Sequence, residues 1–155
     1  YYNFVYNINS IGFRFFTVYG PYGRPDMSIH IFFKAFLKKQ KIYLFNKGNN
    51  YRDFTYVDDV INQIYFCFKK TIKKKKFFNV FNIGGESTIL IKELIKKIQK
   101  ITGKKTTIIP TKKNKLDPVK SLADNKELIN FTGYKKRTNI SEGLIKVYKN
   151  MIEKN

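Results

Sequence analysis

Two hydrophobic patterns alternate along this chain. Residues 12–18 and 77–83 read as continuous apolar strands of a covered sheet, the second bounded by Gly84 and Gly85. Elsewhere apolar positions recur at helical spacing. After a loop over residues 19–26, an amphipathic helix is predicted over about residues 28–39. A second helix is expected to take Asp58 as its cap and to carry Val60, Ile61, Ile64, Tyr65 and Phe68 on one side. The third is the clearest: Ser87 as cap, a stripe of Leu90, Ile91, Leu94, Ile95, Ile98 and Ile101, and Gly103 as its stop. Residues 1–6 look like the end of a helix, residues 42–45 and 106–109 like short strands, and residues 124–131 and 141–153 like two final helices. Such alternation predicts an α/β architecture with a partly parallel sheet.

Composition changes this picture little. With 155 residues, 43% hydrophobic and 17% aromatic, the chain can bury one real core and does not look disordered. Its apolar runs fall short of the roughly 20 residues of a membrane helix, so no membrane span is expected and the predicted location is the cytoplasm. The first residue is Tyr1 and not methionine, so the natural start is expected upstream. Cys67, the lone cysteine, lies among Tyr65, Phe66 and Phe68 and is expected to be a buried structural thiol.

Charge raises a different possibility. A net charge of +20 invites a nucleic-acid partner. The excess is almost all lysine, however, set on outward helix positions such as Lys92, Lys96, Lys97 and Lys100 or in the run from Lys73 to Lys76. That distribution fits a solvated surface, and no specific nucleic-acid binding is expected. Asp58 and Asp59 fit helix-start residues better than a catalytic pair. His30, the sole histidine, has no metal-ligating partner at useful spacing.

Particular motifs carry more information. The stretch RFFTVYGPYGRPDM (residues 14–27) turns from an apolar run into a Gly- and Pro-punctuated loop with one arginine, and YRDFTYVDD follows at residues 51–59. Together they resemble the substrate-binding half of the extended short-chain dehydrogenase/reductase family of NAD-dependent nucleotide-sugar epimerases, closest to its UDP-glucuronate 4-epimerase branch. NIGGES (residues 82–87), LADNKELINFTGY (122–134) and TNISEGL (138–144) extend the resemblance over nearly the whole chain. Nothing in the sequence resembles the family's Gly-rich dinucleotide loop or its catalytic Tyr-x-x-x-Lys pair. Residues 1–155 are thus expected to be a C-terminal portion: the last strands and helices of a Rossmann domain plus the small substrate-binding domain. No catalytic residue is expected inside the chain, and alone it is expected to be inactive.

The resemblance implies a UDP-sugar substrate, NAD bound mainly by the other half, and a homodimer at full length. It also implies site residues. A 4-keto glucuronate is a β-keto acid that loses carbon dioxide unless its carboxylate is held out of alignment, and Thr17 and Arg24 are implied to hold it. Arg52 is implied to contact the diphosphate, the alternative being a salt bridge to Asp53 or Asp58. Tyr43 or Phe45 is implied to stack on the uracil, the alternative being core packing. Another nucleotide-sugar specificity is the competing expectation. At residues 114–117 the chain reads NKLD where related sequences read Gln-Pro-Gly-Asp, which puts loop closure in question because leucine tolerates positive φ poorly.

Overall fold

A computed structural model describes residues 1–112 and 116–153. A short helix, α1 (Tyr2–Tyr6), leads into β1 (Ser10–Phe15) and β2 (Thr17–Tyr19). The apolar run expected as one strand is therefore two, because the chain changes neighbours at Phe16. β1 runs parallel to β6 (Phe78–Ile83), with Phe13 opposite Phe81; β2 runs parallel to β5 (Phe54–Tyr56), with Thr17 opposite Phe54. The Phe16 amide still donates to the Ile83 carbonyl at 3.0 Å, so the fork opens just after it.

α2 (Ser28–Lys38) and β3 (Ile42–Phe45) come next, then β4 (Tyr51–Arg52). α3 (Val57–Thr71) precedes β6, and β7 (Ile89–Leu90) precedes α4 (Ile91–Thr102). β8 (Ile108–Thr111), α5 (Lys126–Thr132) and α6 (Ile140–Glu153) complete the order. β3 and β8 are parallel, whereas β4 and β7 are antiparallel, so among the described residues the pairing is mixed, as expected of a partly parallel α/β fold. Pro110 lies inside β8 opposite Leu44, one residue further than the predicted strand reaches. The Ile42 amide bonds to the Thr107 carbonyl, and the two-residue period of a strand then turns the Pro110 nitrogen to the outer edge, where a missing N–H is tolerated.

Two apolar clusters hold these elements. The larger joins α2, β3, α4 and α6 through Phe33, Phe36, Ile42, Leu94, Ile98, Leu144 and Val147. The smaller joins α3, β6 and α5 through Val60, Cys67, Phe81, Ile83 and Leu128. Each such side chain contributes about 1.5–3 kcal/mol on burial, so the first cluster dominates by number. Burial also pushes the Cys67 thiol up to about 11, the behaviour of a structural cysteine.

Three local expectations need correction. In α3 the buried positions are Asp59, Val60, Gln63, Cys67 and Thr71, whereas Ile61, Tyr65 and Phe68 are more than half exposed. Polar residues can take the inner face because they have partners. Asp59 accepts from the Thr138 amide at 2.7 Å and its hydroxyl at 3.2 Å, and the Gln63 carboxamide, with its oxygen toward Arg137, accepts from that guanidinium. The helix caps also differ. Tyr56 and not Asp58 is the N-cap of α3, and α4 starts from Leu90 and not Ser87, because β7 occupies the intervening residues. Gly103 ends α4 with φ 65°, as its type predicts.

Candidate functional site

A cavity of about 370 Å³ opens where the start of β2, the start of α2, β3 and β4 converge. Thr17, Tyr43, Phe45 and Arg52 all line it, although they come from three separate strands. Strand periodicity explains the aromatics. Ile42 and Leu44 face the core, which turns Tyr43 and Phe45 outward at 59% and 55% exposure. Core packing of these two rings is thereby excluded.

Arg52 is ion-paired, but not with the acids nearest in sequence. One guanidinium nitrogen donates to the Tyr51 carbonyl at 2.8 Å and the other pairs with the Asp117 carboxylate. The second Asp117 oxygen accepts from Asn50 Nδ2 at 2.6 Å, and Asn50 in turn accepts from Asn46 at 2.6 Å. Asp117 and Asn50 line the same cavity, and sequence reasoning missed both. Asp117 belongs to the departing NKLD motif. Leu116 and Asp117 are described, whereas Asn114 and Lys115 lie outside the described residues.

Arg24 stands apart. Its side chain is 75% exposed and grips Asp26 through Nε at 3.1 Å and Nη2 at 2.5 Å. Asp26 lines the cavity; Arg24 does not. The sequence-derived set is therefore four residues on one cavity and a fifth beside its mouth.

Asp53 sits behind Arg52 and is fully buried. Its carboxylate accepts from the Gly85 amide at 2.6 Å and the Ala123 amide at 3.0 Å. Burial raises its pKa above the ordinary carboxylate range, and these two amides pull it back. The same neighbourhood fixes the strand that presents Arg52: the Tyr51 amide donates to Val119 at 2.8 Å and the Ser121 amide to Tyr51 at 3.1 Å. β4 and the segment carrying Asp117 are thus stitched together.

The described residues do not form a cradle for dinucleotide phosphates. Glycines follow two parallel strands, at Gly20 and Gly23 after β2 and at Gly84 and Gly85 after β6. The space beside them is filled by Val57, His30, Ala123 and the Asp53 carboxylate, and the last would repel a phosphate. Tyr-x-x-x-Lys spacing does occur at Tyr43/Lys47 and Tyr65/Lys69. The first pair spans a strand and a turn, and the second lies on the exposed side of α3, away from the cavity.

The fold is thus a mixed α/β one, with a cavity lined mainly by apolar side chains and bearing one arginine, Arg52. The chain belongs to the NAD dependent epimerase/dehydratase family, whose model matches residues 1–84. It is 38% identical over 128 residues to UDP-glucuronate 4-epimerase 5 of Arabidopsis thaliana, covering 73% of this chain and 29% of that protein. It is 33% identical over 146 residues to the UDP-glucuronate 4-epimerase of Thermodesulfobacterium geofontis, covering 92% and 43%. Among solved structures, the Bacillus cereus UDP-glucuronic acid 4-epimerase in complex with UDP-glucuronic acid and NAD superposes with a TM-score of 0.88 at 32% identity. That match covers 99% of this chain and 48% of the other. The chain thus spans less than half the length of these relatives.

Proposed function

We propose that the protein is a UDP-glucuronate 4-epimerase and that the cavity between β2, β3 and β4 is its UDP-sugar site. The observation that carries this reading is the convergence of Thr17, Tyr43, Phe45 and Arg52 on one cavity. Arg52 takes the diphosphate, because a planar fork of donors suits phosphate oxygens. Tyr43 and Phe45 offer exposed ring faces to the uracil. Thr17 donates its hydroxyl to the sugar carboxylate, and Arg24 reaches that carboxylate by leaving Asp26. NAD, the family's cofactor, would supply the hydride chemistry at C4 and would be bound mainly by the half of the family fold that this chain does not resemble. The contribution of this chain is to bind the substrate and restrain the carboxylate of the 4-keto sugar.

Two variants test the assignment. Arg52→Ala is expected to weaken UDP and UDP-glucuronate alike, by about tenfold to a hundredfold. In an active full-length enzyme, Arg24→Ala is expected to weaken UDP-glucuronate alone and to release carbon dioxide during turnover. If Arg24→Ala weakened UDP equally and released no carbon dioxide, a neutral nucleotide sugar would become the better substrate.

A further inference from the structure

α6 carries more apolar surface than its core contacts need. Leu144 and Val147 are fully buried and join it to Leu94 and Ile98 of α4 in the larger cluster. One such stripe is what a helix at the edge of a domain ordinarily requires. A second one, Ile145, Tyr148 and Ile152, runs beside the first. Its spacing of i, i+3 and i+7 is the seam that pairs helices, and the two isoleucines are 43% and 47% exposed. With Ile101 of α4, these side chains line a groove of about 590 Å³ between the two helices. Tyr148 is fixed there by stacking on Phe33, the ring centroids 5.8 Å apart. The groove shares no lining residue with the cavity at β2, β3 and β4.

Its border is cationic. Lys97 and Lys100 come from α4 and Lys149 from α6, and among the described residues no acid lines the groove. Lys97 donates to Ser141 Oγ at 3.1 Å, whereas neither Lys100 nor Lys149 has a carboxylate partner among the described residues. The nearest acid along α6, Glu142, pairs with Lys146 at 3.2 Å. Apolar side chains bordered by lysines select an occupant with an apolar face and acidic flanks. A second copy of this chain fits poorly, since it would bring a net charge of +20 against the same lysines.

We propose that the groove between α4 and α6 docks an acidic amphipathic helix of a partner protein, which lies along Ile145, Tyr148 and Ile152 and sets its carboxylates against Lys100 and Lys149. This goes beyond the UDP-sugar reading and does not depend on it. The stripe on α6 is about 10 Å long at 1.5 Å per residue, so about two turns of the partner suffice to cover it.

The probe is a fluorescein-labelled synthetic helix of about 14 residues, with leucines at i, i+3 and i+7 and glutamates on both flanks. Its control is a peptide of the same composition in scrambled order. Fluorescence anisotropy with the purified chain measures both. Because the charge of the chain attracts any acidic peptide, the difference between the two is the readout: the ordered peptide is expected to bind roughly tenfold tighter or more. Replacing Ile145→Ser together with Ile152→Ser is expected to abolish that difference, whereas Ile61→Ser, at a 58% exposed position of α3, is expected to preserve it. Lys149→Glu is expected to weaken the ordered peptide at low salt. Equal binding of the two peptides, equal loss in Ile61→Ser, or undiminished binding in Lys149→Glu overturns the proposal. So does binding of sodium dodecanoate but not the peptide through Ile145, which would make the groove a site for a small anionic amphiphile. Dimerisation of the chain through the same isoleucines in sedimentation velocity overturns it in favour of self-association. Should the double variant melt below the assay temperature, Ile145→Ser alone is read in the same way.

Discussion

The Gly85 amide donates to Asp53 Oδ1 at 2.6 Å, and a Cβ built on Gly85 would stand 2.7 Å from that same oxygen and 2.9 Å from the Phe54 carbonyl. The bond and the bare glycine are two sides of one requirement. A carboxylate with no solvent access approaches a backbone this closely only where no side chain intervenes. Gly84 is under the same constraint, since its Cβ would collide with Ala123.

Gly85→Ala should therefore destabilise the protein by about 1–3 kcal/mol, the range for inserting a methyl group into filled space. Chemical denaturation measures it. A variant as stable as wild type would mean that the β4–β5 corner yields more easily than this packing implies.

Asp53 also gives stability a pH dependence. Its folded pKa is raised by burial, so the folded state holds the proton more tightly than the unfolded chain does. Its contribution is fully present below the ordinary carboxylate pKa and is lost as pH rises through the folded value. Asp53→Asn, itself destabilised by losing an acceptor, lacks this titration. The stability advantage of wild type over Asp53→Asn should shrink as pH rises above about 4. Urea unfolding at a series of pH values checks the sign; an advantage that grows with pH would contradict it.

Gly143 in α6 lies against Tyr19, whose ring would be 2.8 Å from a Cβ placed there and whose hydroxyl would be closer still. Alanine favours a helix over glycine by about 1 kcal/mol, yet here the overlap should win and Gly143→Ala should lower Tm. The Tyr19 hydroxyl is buried with no hydrogen-bond partner among the described residues, so Tyr19→Phe in the same background should recover part of the loss. A Gly143→Ala protein melting above wild type would rule the contact out.

Cys67 is fully buried and its thiol is pushed up to about 11 by desolvation. Native protein at neutral pH should react with a thiol reagent only as fast as it opens, and denatured protein at once. Prompt stoichiometric labelling of the folded state would show the α3–β6 packing to be looser than described.

The parts of this molecule visible in the sequence are those with a local signature. The α4 stripe and the Gly103 stop need no distant partner to be recognised. Four of the five candidate binding residues were gathered on one cavity because a motif preserves their relation to one another, not because any periodicity reveals it. What stayed hidden depends on contacts across the chain. Arg52 meets Asp117 65 residues away, Asp53 meets Ala123 70 residues away, and Asp59 meets Thr138 79 residues away. The last explains why the inner face of α3 was misread: an acid that finds distant donors buries as well as a leucine, and hydropathy cannot see the donors. The pairing of Arg24 with its near neighbour Asp26 at the surface was likewise not visible in the motif.

Pro110 has a consequence beyond its own strand. Among the described residues β8 pairs with β3 alone, and its outer rim would otherwise offer a regular row of donors to any extended peptide. The proline removes one donor from the middle of that rim, and Lys112 follows just past the strand end. A chain this rich in phenylalanine, tyrosine and isoleucine is prone to recruit copies of itself through exposed strands while it folds. The interrupted rim makes β8 a poor template for such growth, so the imino acid guards solubility at a site where it adds nothing to the cavity.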